Sequence, residues 1–203
     1  PESAMELSLE SVKEAKKRNI TVSCDLNYRK KLWKWGKEPI EVMPEIAKYI
    51  DVMIANEEDC QKCLGIKMET GVDSGKLNTE MYKDLAKIVM DTYPNVKALA
   101  VSLRESVSAD HNNWSGVLAF RDGDFHISRK YSITNIVDRI GGGDSFGGGL
   151  IYSLLSGKDD QKAIDFAVAA SCLKHSVEHD FNQMSAAEVE ALAAGNASGR
   201  VQR

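Results

Sequence analysis

The chain has 203 residues, of which 43% are apolar, enough to bury a substantial core in one domain. Its formal net charge of −4 argues against a nucleic-acid partner and against an anionic membrane surface. Four scattered cysteines exclude a disulfide framework, and without a long apolar run or signal-like segment the expected location is the cytoplasm.

The first half of the chain predicts alternating helices and strands. Residues 5 to 18 carry apolar side chains at helical spacing, and the apolar run 20 to 24 predicts a buried strand. A helix over 39 to 50, interrupted or begun at Pro44, precedes a second buried strand at 51 to 55. Further elements are a helix at 57 to 64, a loop at 65 to 76, a helix at 78 to 91 and a strand at 97 to 103. This alternation predicts a mostly parallel sheet with helices on both faces.

The second half changes period and then returns to helices. Residues 115 to 132 alternate around Asp122-Gly123, which indicates a hairpin. Helices follow at 144 to 156, 159 to 176 and 186 to 194, the last with a capping box from Ser185 and Glu188. Parallel sheets bind ligands outside the carboxyl ends of their strands, where Asn27, Asn56 and Ser102 are expected.

The most informative segment is the glycine-rich stretch from Asp138 to Gly149, where six glycines surround Asp144 and a helical apolar pattern begins. Glycine in a helix costs about 1 kcal/mol relative to alanine, so we expect a ligand to approach this backbone closely. N–H groups at a helix N-terminus favour an anion such as a phosphate. A carboxylate beside a phosphate suits a group that takes a proton from the attacking hydroxyl. The alternative is a glycine-rich turn with Asp144 as an ordinary N-cap.

Two common phosphate motifs do not fit this segment. No lysine follows a glycine at P-loop spacing, and Phe146 stands at the third glycine position of the dinucleotide fingerprint. The segment instead resembles the second signature of the ribokinase-like (PfkB) carbohydrate kinases, which reads Asp, two residues, Gly-Ala-Gly-Asp, one residue and Phe. It matches at Asp138, at Gly141 to Asp144 and at Phe146, with Gly142 in place of the usual alanine.

Three further segments carry the resemblance along the chain. Residues 25 to 33 are similar to the Asp-x-Asn-x-Arg loop of these kinases, and Asn-Tyr-Arg followed by Leu-Trp is typical of the 2-keto-3-deoxygluconate kinases. Residues 101 to 106 resemble the nucleotide-contacting turn of that subgroup. Residues 173 to 176, together with Asp180, resemble its C-terminal sugar-contacting segment, although His179 stands where the family often has glycine.

The resemblance implies a ribokinase-like α/β fold and an ATP- and Mg²⁺-dependent kinase, closest to the enzymes that convert 2-keto-3-deoxygluconate into its 6-phosphate. The family's N-terminal sugar-binding part and β lid have no counterpart here, and the chain opens with Pro1. Residues 1 to 203 are therefore expected to be the C-terminal portion of a single kinase domain. The alternatives are a kinase of a neutral sugar such as fructose and a catalytically silent sugar- or nucleotide-binding module. A homo-oligomer is compatible with all three.

The resemblance also implies residue roles. Asp144 is expected to be the catalytic base and, with Arg29 and Asp180, to hold a small sugar acid. Asp59 is expected to reach Mg²⁺ through water, and Asp138 to lie near a monovalent cation. The anion hole is expected from the N–H groups of Gly141, Gly142, Gly143 and Asp144, with Gly143 in a glycine-only conformation. The residues expected to contact the nucleotide are Asn27, Asn56, Ser102, Arg104 and Ser106.

Three segments keep structural alternatives. Asn56 to Asp59 fits an N-cap asparagine with acidic first-turn residues as well as it fits a magnesium motif. The pair Cys60 and Cys63 lacks a second pair and predicts buried thiols rather than a zinc or redox site. The basic and aromatic residues 29 to 37 are compatible with a single-stranded nucleic-acid groove, but in an acidic chain they equally fit a solvated face beside an anionic substrate.

Overall fold

The structure is a computed structural model that describes residues 1–67, 79–108 and 110–195. The helices are α1 (Glu2–Lys17), α2 (Met43–Ala47), α3 (Glu57–Leu64), α4 (Thr79–Thr92), α5 (Gly142–Leu155), α6 (Asp160–Lys174) and α7 (Ala186–Ala193). The strands are β1 (Ser23–Asp25), β2 (Val52–Ala55), β3 (Ala98–Ser106), β4 (His111–Phe120), β5 (Phe125–Ile127) and β6 (Tyr131–Thr134). None of the helices in these ranges is both long enough and apolar enough to cross a membrane.

The strands form a six-stranded sheet in the order β1-β2-β3-β4-β5, with β6 paired to β4. The pairs β1–β2 and β2–β3 are parallel, with Asp25 opposite Ile54 and Ala55 opposite Val101. The pair β4–β6 is antiparallel, with Asn112 opposite Ile133. The predicted α/β fold with a mostly parallel sheet is therefore confirmed.

One compact unit comprises Pro1–Val101 and Ala119–Phe125. Its core is formed by apolar side chains from β2, α4 and β3, among them Met53, Leu85 and Leu99, which are at most 1% exposed. Arg121 ties the end of β4 to this unit, because its guanidinium donates to the carbonyl oxygens of Met90, Tyr93 and Val96 at 2.7 to 2.9 Å.

The other compact unit comprises Ser102–Leu118 and His126–Arg203. Small residues allow its elements to approach closely. A Cβ on Gly149 of α5 would lie 3.1 Å from the Cα of Ala167 in α6, and a Cβ on Gly116 of β4 would lie 3.0 Å from the ring of Phe146. Phe146 is 1% exposed, so the helix that begins at the glycine-rich segment is anchored in the core of this unit.

The first strand differs from its prediction in both position and burial. β1 begins at Ser23 rather than residue 20, and Ser23 and Asp25 are exposed. Ile20, predicted to lie inside the strand, is 52% exposed. β1 stands at the end of the strand order with β2 as its neighbour. Its exposed Ser23 and Asp25 show that an apolar run in the sequence does not ensure that a strand is buried on both faces.

Several other boundaries also move. The helix predicted over 39 to 50 is a 3-10 turn at Pro39–Glu41 followed by the five-residue α2, with Pro44 in its first turn, a position that tolerates proline. The predicted hairpin around Asp122-Gly123 is present, with the Phe120 N–H donating to the Asp124 carbonyl at 2.8 Å. The sequence pattern does not mark β6 as a separate strand. Of the predicted loop at 65 to 76, residues 68 to 76 lie outside the described ranges.

Candidate active site

The glycine-rich segment adopts a backbone that requires glycine at its first position. Gly141 is the N-cap of α5 and has φ +77°, in the left-handed region. A Cβ there would lie 1.9 Å from the carbonyl oxygen of Asp180. Gly143, expected to have a glycine-only conformation, is instead an ordinary helical residue, and that expectation was wrong. The close approach and the positive φ both belong to Gly141 because it turns the chain into the helix.

The first turn of α5 has backbone N–H groups without an acceptor inside the helix, and its second residue, Gly143, is exposed. Gly142, Gly143 and Asp144 are its first three residues, and the first intrahelical bond runs from the Ser145 N–H to the Gly141 carbonyl at 2.9 Å. The N–H groups of the residues before Ser145 have no acceptor within the helix. That of Gly142 lies 3.4 Å from the Arg139 carbonyl, whereas a Cβ on Gly143 would meet nothing within 4 Å. An anion can therefore reach the backbone at Gly143.

Asp144 lies on this same turn with an exposed side chain. It is the third helical residue rather than the N-cap, so the alternative of an ordinary N-cap aspartate does not describe it. Asp144 and Asp180 both line a cavity of about 360 Å³ whose remaining walls are mostly apolar, including Tyr152 and Phe181. The structure thus brings the predicted base and the predicted sugar-contacting Asp180 to one cavity.

A turn after α6 holds the glycine-rich segment in place. The His175 carbonyl accepts from the N–H groups of Val137 and Asp138 at 2.9 and 3.4 Å. In return, the Asp138 carboxylate accepts from the Ile140 N–H at 2.9 Å and the His179 N–H at 3.0 Å. The Ile140 bond is the main reason why the pKa of Asp138 lies below its ordinary value. Both oxygens of this predicted cation ligand therefore already accept backbone N–H groups, and its cation role stays a prediction.

His179 takes part in this turn with φ +64°, the conformation in which a glycine costs least. The positive φ of His179 agrees with the resemblance, because the resembled kinases often carry glycine at this position. The buried side of the turn is completed by His175, whose Nδ1 lies 2.7 Å from the Ser171 carbonyl, and the Ser171 hydroxyl donates to the Gly142 carbonyl at 2.7 Å. Helix α6 therefore supports the start of α5 directly.

In the first unit, Asn56 and Asp59 form a reciprocal capping box at the start of α3. The Asn56 Oδ1 accepts from the Asp59 N–H at 2.8 Å, and the Asp59 carboxylate accepts from the Asn56 N–H at 3.1 Å. The other Asp59 oxygen accepts from the Tyr28 N–H at 2.9 Å. Asp59 is only 5% exposed, and burial raises its pKa above the ordinary value. Each oxygen of Asp59 thus accepts one backbone N–H, and its contact with Mg²⁺ through water stays a prediction.

The Tyr28 bond also holds the loop that follows β1. Asn27 in this loop has φ +43°, and its N–H donates to the Asp25 carboxylate at 3.1 Å. Arg29 is exposed and donates from Nη1 to the carbonyl of its half-buried neighbour Tyr28 at 3.0 Å. Farther along, Trp33 and Trp35 pack with ring centroids 6.4 Å apart. The loop that carries the predicted substrate arginine is thus tied to the start of α3.

The predicted nucleotide contacts after residue 101 lie on a strand rather than on a turn. β3 continues to Ser106, so Ser102 lies inside the strand and not at its end. Since side chains alternate along a strand, Ser102, Arg104 and Ser106 share one face. Glu105 on the other face accepts from Lys130 at 2.6 Å and from Asn113 at 3.0 Å. The spacing of the three candidates is therefore suited to one common surface.

Lys174 is a further candidate site residue that the sequence pattern does not mark. Lys174, the last residue of α6, is 0% exposed, and its ammonium donates to the Val177 carbonyl at 3.0 Å. A lysine in the last turn of an apolar helix is an ordinary C-terminal signal, so the sequence gives no reason to expect burial. By contrast, the prediction of buried thiols is confirmed, because Cys60 and Cys63 are free and 0% exposed, and burial raises the pKa of each to about 12.

The chain is similar to known sugar kinases over nearly its whole length. It is 26% identical over 198 residues to a 2-dehydro-3-deoxygalactonokinase of Haloferax volcanii, covering 98% of this chain and 55% of that protein. It is 25% identical over 190 residues to a 5-dehydro-2-deoxygluconokinase of Bacillus licheniformis, covering 93% of this chain and 52% of that protein.

Among solved structures, the crystal structure of 2-dehydro-3-deoxygluconokinase from Thermotoga maritima superposes with a TM-score of 0.82 at 47% identity, covering 92% of this chain and 54% of that one. The chain thus spans about half the length of the relatives it matches. The profile of the pfkB family carbohydrate kinases matches residues 1–180. With the glycine-rich helix start and its exposed carboxylate, this match shows that the chain belongs to the pfkB family of carbohydrate kinases.

Proposed function

We propose that the complete protein transfers the γ-phosphoryl group of ATP to a hydroxyl of a sugar acid. The observation that carries the proposal is the first turn of α5, where the exposed carboxylate of Asp144 stands beside the accessible backbone at Gly143. A phosphate and a proton acceptor are the two requirements of phosphoryl transfer to an alcohol, and this turn provides a place for each.

Each group in the turn has a distinct part in the reaction. Asp144 accepts the proton of the attacking hydroxyl, which makes the oxygen a better nucleophile as the bond to phosphorus forms. The N–H groups of Gly143 and Asp144, with the positive end of the α5 dipole behind them, stabilise the charge that builds on the transferring group. Mg²⁺ bound with the nucleotide neutralises phosphate charge, and Asn56 and Asp59 are suited to contact its water shell.

The nucleotide and the sugar are assigned to different residues. The face of β3 that carries Ser102, Arg104 and Ser106 is suited to the nucleotide, together with Asn27. Asp180 lines the same cavity as Asp144, and its carboxylate is suited to accept hydrogen bonds from sugar hydroxyls. Arg29 is the candidate partner for a substrate carboxylate, since its guanidinium can donate two parallel hydrogen bonds.

We propose 2-keto-3-deoxygluconate as the substrate, with phosphorylation at C6. The solved relative at 47% identity is named for this substrate, and both curated relatives are named for dehydro-deoxy sugar acids. Arg29 supports the same class, because a neutral hexose has no carboxylate for it to bind. The alternative of a fructose-type kinase would make Arg29 unnecessary for substrate choice.

A coupled ADP-release assay on the complete natural protein tests the proposal. The panel contains 2-keto-3-deoxygluconate, 2-keto-3-deoxygalactonate, 5-keto-2-deoxygluconate, fructose and ribose. We expect the first to have the highest kcat/KM. Preference for fructose or ribose would reject the sugar acid and favour the neutral-sugar kinase. Nucleotide binding without ADP release on any sugar would favour the silent binding module.

A further inference from the structure

Lys174 is a fully buried lysine beside the candidate active site. The residue is 0% exposed, and its Nζ donates to the Val177 carbonyl at 3.0 Å. Lysine is almost never completely buried unless a counter-charge accompanies it, because removing an ammonium from water is costly. The residues around Lys174 therefore indicate the function of its positive charge.

The turn that begins at Lys174 wraps around Asp138. The carbonyl of the next residue, His175, accepts from the Asp138 N–H, and the N–H of His179 donates to the Asp138 carboxylate. Val177, whose carbonyl binds the ammonium, lies between these two contacts in the chain. The bond from Ile140 and the nearby charge of Lys174 both favour the ionised form of Asp138. The turn that carries Lys174 and Val177 thus also holds the Asp138 carboxylate.

We propose that the ammonium of Lys174 takes the place of the monovalent cation expected near Asp138. Carbonyl and carboxylate oxygens gathered in one turn are the ligands that a monovalent cation would use, and an ammonium carries the same single charge. Here the charge is covalently attached to α6. Lys174 is accordingly a positioning residue that holds the Asp138 turn and supplies fixed positive charge close to the start of α5.

The inference rests on the proposed phosphoryl transfer and adds a specific property to it. The Asp138 turn leads through Ile140 directly into Gly141, the N-cap of the phosphate-binding helix turn. A fixed positive charge near this turn favours the negative charge of a transferring phosphoryl group. Because the charge is built in, the reaction does not require potassium or ammonium ions. A lysine that only fills space would confer no such property.

Three variants separate charge from packing. Lys174→Met keeps most of the side-chain volume and removes the charge. Lys174→Ala removes the charge and leaves space in which a small cation can bind. Lys162→Met is the matched control, since Lys162 lies on the same helix with 75% of its side chain exposed, paired with Asp159. ADP release by the complete natural protein is measured in choline chloride, potassium chloride and ammonium chloride at equal ionic strength.

We expect the wild-type kcat to differ by less than about twofold among the three salts, as for Lys162→Met. Lys174→Met should lose at least about tenfold in kcat in every salt, on the scale of removing one stabilising group from a phosphoryl site. Lys174→Ala should lose as much kcat in choline chloride, and its kcat should recover in ammonium chloride or potassium chloride. Wild-type activity that depends on potassium, or full activity of a folded Lys174→Met in choline, would overturn the proposal.

Thermal melting distinguishes this inference from the proposed function. If the wild-type protein releases no ADP with any sugar of the panel, the proposed function fails, but the cation site can still be read. Ammonium should then raise the melting temperature of Lys174→Ala above its value in choline and leave the wild type unchanged. Equal shifts in both proteins, or no shift in either, would reject the built-in cation. If both variants fail to fold, salt dependence of the wild-type melting temperature decides the question in the same way.

Discussion

The N-termini of α3 and α5 are arranged in two opposite ways. At α3, Asn56 and Asp59 satisfy each other's backbone N–H groups through a capping box. At α5, the N-cap is Gly141, which has no side chain to cap anything. Helices need partners for their first N–H groups, so a start without a side-chain cap leaves donors for a ligand. The comparison separates a helix terminus that supports structure from one that is suited to bind phosphate.

The largest expected effect concerns the carboxylate at the uncapped start. Asp144→Asn should lower kcat by about 10² to 10⁴-fold and leave nucleotide affinity unchanged, because the amide cannot accept the hydroxyl proton. Steady-state kinetics with calorimetric nucleotide titration measures both quantities. Glu188→Gln is the control, since Glu188 is the third residue of α7 and caps Ser185 there. Near-normal turnover of Asp144→Asn would show that Asp144 is not the catalytic base.

The second prediction fills the open space at the same start. Gly143→Val should fold, because Gly143 is helical and a Cβ there meets nothing within 4 Å. The added side chain should block the phosphate and lower kcat by about 10² to 10³-fold, the scale for losing an oxyanion-type donor. Circular dichroism and ADP release measure the two effects. Full activity together with unchanged ATP affinity would mean that α5 does not bind the anion.

The third prediction concerns the loop that the capped start of α3 holds through the Tyr28–Asp59 bond. Arg29→Leu should lower kcat/KM for 2-keto-3-deoxygluconate by an amount equivalent to about 2 to 5 kcal/mol of transition-state stabilisation, the scale for breaking a charge pair in a binding site. The kcat/KM for fructose should fall far less. Parallel kinetics on the two sugars measures the difference. A uniform loss across acid and neutral sugars would indicate that Arg29 contacts the nucleotide instead.

The fourth prediction tests whether α3 is capped for structure alone. Asn56→Ala should lower the free energy of unfolding by about 1 kcal/mol, and Asn56→Ser should restore it, since serine is an equally good N-cap. If Asn56 also contacts the nucleotide, as the resemblance implies, KM for ATP should rise in both variants. Urea denaturation and kinetics measure the two properties. Restored ATP affinity in the serine variant would leave Asn56 with the structural role only.

The smallest expected effect is the dependence of the Asp138 turn on pH. Hydrogen bonds from Ile140 and His179 lower the folded-state pKa of Asp138. The ionised Asp138 therefore stabilises the folded protein fully above its pKa in the unfolded state, about 4. This contribution is lost as the pH falls through the lower pKa of the folded state. Melting temperatures of the wild type and Asp138→Asn should differ at pH 6 and converge toward pH 3. A constant difference would show that the charge of Asp138 does not stabilise the turn.

Local patterns predicted most of the helices. The start of α5 was predicted to within two residues, and the cap of α7 at Ser185 and the buried thiols of α3 were correct, because each depends on residues within one or two helical turns. Strand boundaries were less accurate. β1 was placed too early and called buried, β3 was ended three residues before Ser106, and β6 was missed. Pairing with neighbours far along the chain determines where a strand begins and ends.

The sequence by itself determined that a glycine-rich helix start would carry an exposed carboxylate, since helical spacing and the residue types are local properties. Only the tertiary structure decided which glycine is indispensable. Gly141 is required because the Asp180 carbonyl, 39 positions away, lies where a Cβ would be. Burial of Lys174 and the bond from His179 to Asp138 likewise depend on segments that meet only after folding. Local chemistry can be read from a chain, but the contacts that fix its geometry depend on long-range packing.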